Sequence, residues 1–240
     1  SWSYEEKVKY MDGLIIYYPA LNQILMQVDE CITNANLLSK PLCMRITGPS
    51  GAGKSTIYDI QKIKYPDIET ENGSEKTLLY SPIPCPAYIG GLPSKLLFNL
   101  GDPFYYKHGN ITVTTQRLYK LLKACKVKAI FLDEVQHLAD RNSQKLLRDS
   151  SDWFKELIDE TKIPIIFMGM PDSNRIFYEN EQLANRVRII KNIDPFVYDN
   201  IFRCLLYCYD SLIPLKGLSG LADPDLSKRI YIATEGLMKS

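Results

Sequence analysis

The chain has 240 residues, 45% of them hydrophobic and 24% charged, with a formal net charge of +1. It is long enough for one large domain, or for an α/β domain of ordinary size with a small second one, and it can bury a core. The balanced charge neither calls for nor excludes a polyanionic partner, so any nucleic-acid contact has to be local.

In chain order, residues Tyr18 to Thr33 repeat apolar side chains at helical spacing (Leu21, Ile24, Leu25, Val28, Cys31, Ile32), and Asn34 to Pro41 breaks the pattern. This predicts a helix ahead of the core. Leu42 to Ile46 reads as a short apolar strand and Ser55 to Lys64 as a helix. Between them lies Gly48-Pro49-Ser50-Gly51-Ala52-Gly53-Lys54-Ser55, a full G-x-x-x-x-G-K-S phosphate loop, with Thr56 completing the nucleotide-binding set. The glycines let successive backbone N–H groups turn inward at a helix N-terminus, where the dipole favours negative charge. ATP or GTP is therefore the expected ligand. Lys54 is expected to neutralise the β- and γ-phosphates, and the Ser55 hydroxyl to ligate magnesium, a hard cation that prefers oxygen.

Lys76 to Ser81 reads as a second strand, ended by three prolines between Pro82 and Pro86. Thr114 to Cys125 places Leu118, Leu121, Leu122 and Cys125 on one helical face and Arg117, Lys120 and Lys123 on the other. Ala129 to Leu132 is an apolar strand that runs into Asp133-Glu134, the form of a Walker B strand. Asp133 is the expected second magnesium ligand, and Glu134 the carboxylate that orients and polarises water for γ-phosphate hydrolysis. Gln144 to Asp159 follows as a charged helix, Pro164 to Met168 as a strand closed by Gly169, and Val187 to Ile190 as a further apolar strand. Alternating strands and helices predict a mostly parallel sheet covered on both faces, with ligands at the carboxyl ends of the strands. From Asp194 the character changes: Phe196 to Tyr209 and Asp225 to Thr234 look helical, with Pro214, Gly217 and Gly220 between them. The expected organisation is a helical segment over 1–40, a P-loop α/β core over 41–193 and a small helical lid over 194–240.

Six scattered cysteines with no C-x-x-C pair read as reduced, mostly buried thiols. No apolar run reaches membrane-spanning length, and the chain opens Ser1-Trp2 with no signal peptide, which reads as a trimmed cytoplasmic protein without a membrane partner.

The phosphate loop, the LDE strand, the strand ending in Gly169, the basic Asn185-Arg186-Val187-Arg188 segment and a helical lid together resemble the AAA+ ATPases. Within them, YYPALNQIL, FLDEVQHL, and IIFMGMPDSNRIF followed by NEQLANRVR resemble the TnsC/TniB transposition regulators, over roughly Tyr17 to Lys239. The resemblance implies a bacterial protein that binds ATP with Mg2+, assembles with itself as a ring or filament on double-stranded DNA, connects a TniQ/TnsD-type target selector to a transposase, and dissociates on hydrolysis. It implies that Arg186 or Arg188, with Arg186 preferred, supplies an arginine finger to the neighbouring subunit. It also implies that Lys107, His108, Arg117 and Lys120 face DNA phosphates. Ala233 to Lys239 resembles the start of a sensor 2 helix without the usual arginine: either Lys239 substitutes, or the true residue lies beyond a trimmed end, and the preferred reading of Lys239 is an ordinary solvated lysine. Where the family commonly has a small polar residue after the fourth strand, the chain has Met170 and Pro171, so either Ser173 or Asn174 takes that role or hydrolysis is slow without a partner. A monomeric P-loop phosphotransferase, a non-hydrolysing ATP-locked module and another DNA-associated AAA+ loader remain as alternatives.

Overall fold

The computed structural model describes residues 2–35, 37–71, 73–106, 110–139 and 143–237. These group into two compact units, one of residues 24–49 and 54–193 and the other of residues 2–23, 50–53 and 194–237.

Helix α1 (Tyr4–Asp12) lies in the segment expected to be helical but is not distinguished there as a separate helix, and it buries no residue. It is built by its cap: the Ser3 hydroxyl accepts from the Glu6 N–H while Glu6 accepts from the Ser3 N–H. Helix α2 (Pro19–Asn34) buries Leu21, Ile24, Leu25, Val28, Cys31 and Ile32, the stripe predicted from spacing.

The larger unit contains a five-stranded parallel sheet. Strand β1 (Cys43–Thr47) and helix α3 (Lys54–Lys64) flank the phosphate loop; a short exposed hairpin of β2 (Ile68–Thr70) and β3 (Gly73–Glu75) follows, then β4 (Leu78–Pro82). Helices α4 (Gly91–Leu100) and α5 (Ile111–Ala124) lead to β5 (Ala129–Asp133), and α6 (Gln144–Thr161) leads to β6 (Ile165–Gly169). Two single-turn helices, α7 (Arg175–Tyr178) and α8 (Glu181–Ala184), precede β7 (Val187–Asn192). The spatial order is β4-β5-β6-β1-β7, with every pairing parallel. β5 (AIFLD) and β6 (IIFMG) are buried at every position, as expected for strands covered on both faces.

Helix α5 begins three residues before the expected Thr114, because Asn110 caps it by accepting from the Thr112 N–H. Helix α6 runs to Thr161 rather than Asp159 and stops where Lys162 adopts a left-handed conformation (φ 57°). Its buried face brings Phe154 edge-on to Phe167, and Phe167 edge-on to Phe177, at centroid distances of 5.3 and 5.2 Å. Trp153 Nε1 donates to Thr115 Oγ1 at 3.0 Å and ties α6 to α5. Truncating Phe167 to alanine in this close-packed centre should cost about 3–5 kcal/mol.

In the smaller unit, α9 (Asn200–Leu212) starts four residues later than Phe196, since Asp199 accepts from the Phe202 N–H and sets the cap there. α10 (Pro224–Thr234) ends at Glu235 and Gly236, both left-handed (φ 52° and 72°). A Cβ at Gly236 would meet the Phe196 carbonyl at 2.1 Å, so only glycine fits. The segment read as the start of a sensor 2 helix is thus a helix stop through Leu237, and Lys239 lies outside the described residues. The Asp210 carboxylate accepts from the backbone N–H groups of Ser219, Gly220 and Leu221 and holds the connecting loop; these bonds lower its pKa.

All six cysteines are free thiols. Only Cys31 and Cys43 are buried, whereas Cys85, Cys204 and Cys208 are exposed, which corrects the expectation that most would be inside. Burial pushes the Cys43 thiol up to about 12. Among the described residues no helix is long and apolar enough to cross a membrane.

Candidate functional site

The parallel register brings the carboxyl ends of β1, β5 and β6 together, so that Thr47, Asp133 and Gly169 lie at one edge of the sheet. The phosphate loop leaves β1 there. Its Gly51 and Gly53 have φ of 78° and 85°, a conformation that requires glycine, and Gly48 N–H donates to the Gly169 carbonyl at 3.2 Å. Lys54 opens α3 and is buried; its ammonium donates to the Gly48 and Pro49 carbonyls, each at 2.8 Å. Burial lowers the Lys54 pKa, against the pull of Asp133 and Glu134.

Asp133 is the centre of the polar cluster. Its Oδ2 accepts from Ser55 Oγ at 3.0 Å and from the Tyr80 hydroxyl at 2.7 Å, while its Oδ1 accepts from the Glu134 N–H at 2.8 Å. Hydroxyl and carboxylate oxygens in this arrangement are the hard donors that magnesium takes, so Ser55 and Asp133 fit that ion. Tyr80 was not foreseen from sequence. It reaches Asp133 from the adjacent strand, where Pro82 pairs with Asp133, and burial with the neighbouring carboxylate raises its pKa.

Glu134 is left-handed (φ 58°, ψ 34°), a conformation that costs a non-glycine residue about 1 kcal/mol. Its carboxylate accepts from Gln136 Nε2, with His137 Nε2 at 3.7 Å. Gln136 Oε1 in turn accepts from the Met170 N–H at 3.0 Å. Of the two residues weighed for the polar role after β6, Ser173 is buried with its Oγ 3.1 Å from where a Gly169 Cβ would stand, and Asn174 has a buried Oδ1 without a hydrogen-bond partner.

The two arginines differ in setting. Arg186 is buried just before β7, at the opposite edge of the sheet, and makes a two-pronged contact with Asp159 at 2.8 and 2.7 Å and a third to the Gln182 carbonyl at 2.6 Å. Burial raises the Asp159 pKa, but the Arg186 hydrogen bond and charge outweigh it and leave the pKa lowered. Arg188 is exposed and donates to the Asn185 carbonyl at 3.0 Å. Arg117 is drawn back to the buried Asp102 at 2.7 Å and lies over the Phe104 ring. Lys107 and His108 lie outside the described residues. Lys120 borders a cavity of about 930 Å3 at the amino end of the sheet, with Lys123, Lys126, Lys128 and Lys162. That cavity opens beside the C-terminal ends of α2, α5 and α6, whose negative helix ends favour nearby lysines.

Three solved structures share this fold at low identity. They are Cdc6p from Pyrobaculum aerophilum (15% identity, TM-score 0.57, 85% of this chain and 53% of that one), the Aeropyrum pernix ORC2 protein in ADPNP–ADP complexes (12%, 0.62, 85% and 55%), and the Aeropyrum pernix ORC1 protein in complex with DNA (15%, 0.55, 81% and 50%). The chain spans about half the length of each. The likeness shows the fold, that of the AAA+ P-loop ATPases. No match was found among curated proteins. The model of the bacterial TniB protein family matches residues 9–193, most of the sequence, and the chain belongs to that family.

Proposed function

We propose that this chain is an ATPase that binds Mg-ATP at the phosphate loop, assembles with further copies on duplex DNA, and in that state joins a TniQ/TnsD-type target selector to a transposase until hydrolysis releases it. The observation that carries the reading is the Asp133 carboxylate gathering Ser55 and Tyr80 beside a lysine whose ammonium donates to two loop carbonyls. Those carbonyl contacts are exchangeable: Lys54 can turn to a phosphate without breaking an ion pair. Magnesium held by Ser55 and Asp133 would neutralise charge on the phosphate oxygens. Glu134 would hold the attacking water, and the loop N–H groups from Gly51 to Thr56 would face the phosphates.

In this reading the finger is Arg188 rather than Arg186. Releasing Arg186 would leave Asp159 without its partner, whereas Arg188 is exposed and gives up one backbone contact. The unit carrying α9 and α10 is read as the lid domain. The DNA reading draws on the family and on the ORC1 protein described in complex with DNA. Arg117 and Lys120 remain the described basic candidates, and their contacts to phosphates would weaken steeply as salt rises.

The test is hydrolysis and binding measured together. Lys54→Ala should abolish binding of a fluorescent ATP analogue, and Glu134→Gln should keep binding while hydrolysis is lost. Native hydrolysis in Glu134→Gln would refute the assigned role, and unaltered binding in Lys54→Ala would refute the site.

A further inference from the structure

After β6, Met170 offers a thioether, a poor hydrogen-bonding group. A different residue supplies the polar connection. The Met170 backbone N–H donates to Gln136 Oε1 at 3.0 Å, and Gln136 Nε2 donates to the Glu134 carboxylate. Gln136 is buried, at 7% exposure, in the single turn Val135–Leu138 that follows β5. The orientation of its amide is dictated by its neighbours. An N–H can only donate, so it takes the carbonyl oxygen; a carboxylate can only accept, so it takes the amino group. On the strand side the fit is close: a Cβ on Gly169 would stand 2.8 Å from Gln136 Oε1, so glycine there lets the amide reach the strand end.

We infer that Gln136 is a positioning residue for hydrolysis, which fixes the Glu134 carboxylate through one oxygen and couples its orientation to the backbone at the end of β6. The inference rests on the reading of Glu134 as the group that holds the attacking water. With Oε2 engaged by Gln136, Oε1 is left for that water, and the left-handed backbone at Glu134 directs the side chain. A displacement of the Gly169–Met170 turn is then passed to Glu134 by two hydrogen bonds rather than by a side chain on β6.

The test is a double-mutant cycle on Mg-ATP hydrolysis, with the affinity for a fluorescent ATP analogue read in parallel on the full chain. Gln136→Met keeps the length of the side chain and removes both bonds. We expect kcat to fall about 10- to 100-fold with KM and analogue affinity within about twofold, and the double variant with Glu134→Gln to be no slower than Glu134→Gln alone. Gln136→Glu keeps an acceptor for the Met170 N–H, loses the donor to Glu134, and guards against a folding defect in the first variant; it should show the same fall in kcat. Gly169→Ala, which crowds the amide from the other side, should match both and add nothing to Gln136→Met. Native kcat in Gln136→Met and Gln136→Glu beside an inactive Glu134→Gln overturns the inference, as do losses that multiply in the double variant. Native hydrolysis in Glu134→Gln locates the failure in the reading of Glu134 itself.

Discussion

At the carboxyl end of the central sheet, Lys54 rests on two backbone carbonyls and Ser55 and Tyr80 each donate to Asp133, contacts that a ligand can replace. At the amino end, Arg186 is held by three, two of them to Asp159. Both ends bury charge, but only one leaves it interchangeable. A fork-to-carboxylate pair fixes geometry and is costly to break from one side, while an ammonium resting on carbonyls is ready to be drawn to a phosphate. Charge alone therefore does not mark a working site; the bonds that the charge already makes do.

The sharpest way to test that contrast is at the arginine pair. In assembled protein Arg188→Ala should lower hydrolysis by about 10³-fold, the scale of a lost arginine finger, with stability changed by no more than about 0.5 kcal/mol. Single-turnover hydrolysis and urea unfolding check the two halves. Arg186→Ala should do the reverse and destabilise the fold by about 3 kcal/mol by leaving Asp159 unpaired, with nucleotide affinity retained, as read from the urea midpoint and an ATP-analogue titration.

Acid offers a gentler route to the same pair. Asp159 has a lowered pKa in the fold, so its contribution is fully present above the unfolded carboxylate value near 4 and is lost as pH falls through the folded value below it. Stability of the native chain should thus fall more steeply below about pH 4 than that of Asp159→Asn, which lacks the titrating group. The smallest effect is expected at Tyr80→Phe, which removes one hydrogen bond to Asp133 and should cost about 1 kcal/mol while weakening magnesium-dependent nucleotide affinity. An equal affinity in this variant would reduce Tyr80 to a packing residue.

These contrasts were unevenly legible in the sequence. The phosphate loop and the Asp133-Glu134 strand end could be read because phosphate and magnesium chemistry force residue types at fixed spacing. The alternation of short apolar strands with helices announced a parallel sheet for an equally direct reason. Tyr80 could not be read, because it meets Asp133 through the β4–β5 register, which a one-dimensional pattern does not contain. Gln136 looks like any polar residue in a short turn until the end of β6 is brought against it. The preference for Arg186 over Arg188 could not anticipate Asp159, 27 residues away, which occupies its guanidinium. By contrast α1 and the start of α9 carried readable signals in Ser3-x-x-Glu6 and Asp199, which apolar periodicity does not detect.

The most direct measurement is the mass of the assembled protein, by sedimentation velocity or electron microscopy, with a magnesium-bound nonhydrolysable ATP analogue and duplex DNA supplied singly and together. Large, ordered assemblies on the duplex should form only when nucleotide and DNA are both present, and should fail to form with Lys54→Ala. A chain that binds the analogue yet stays monomeric with DNA, or that coats DNA equally without nucleotide, would contradict a nucleotide-switched assembly.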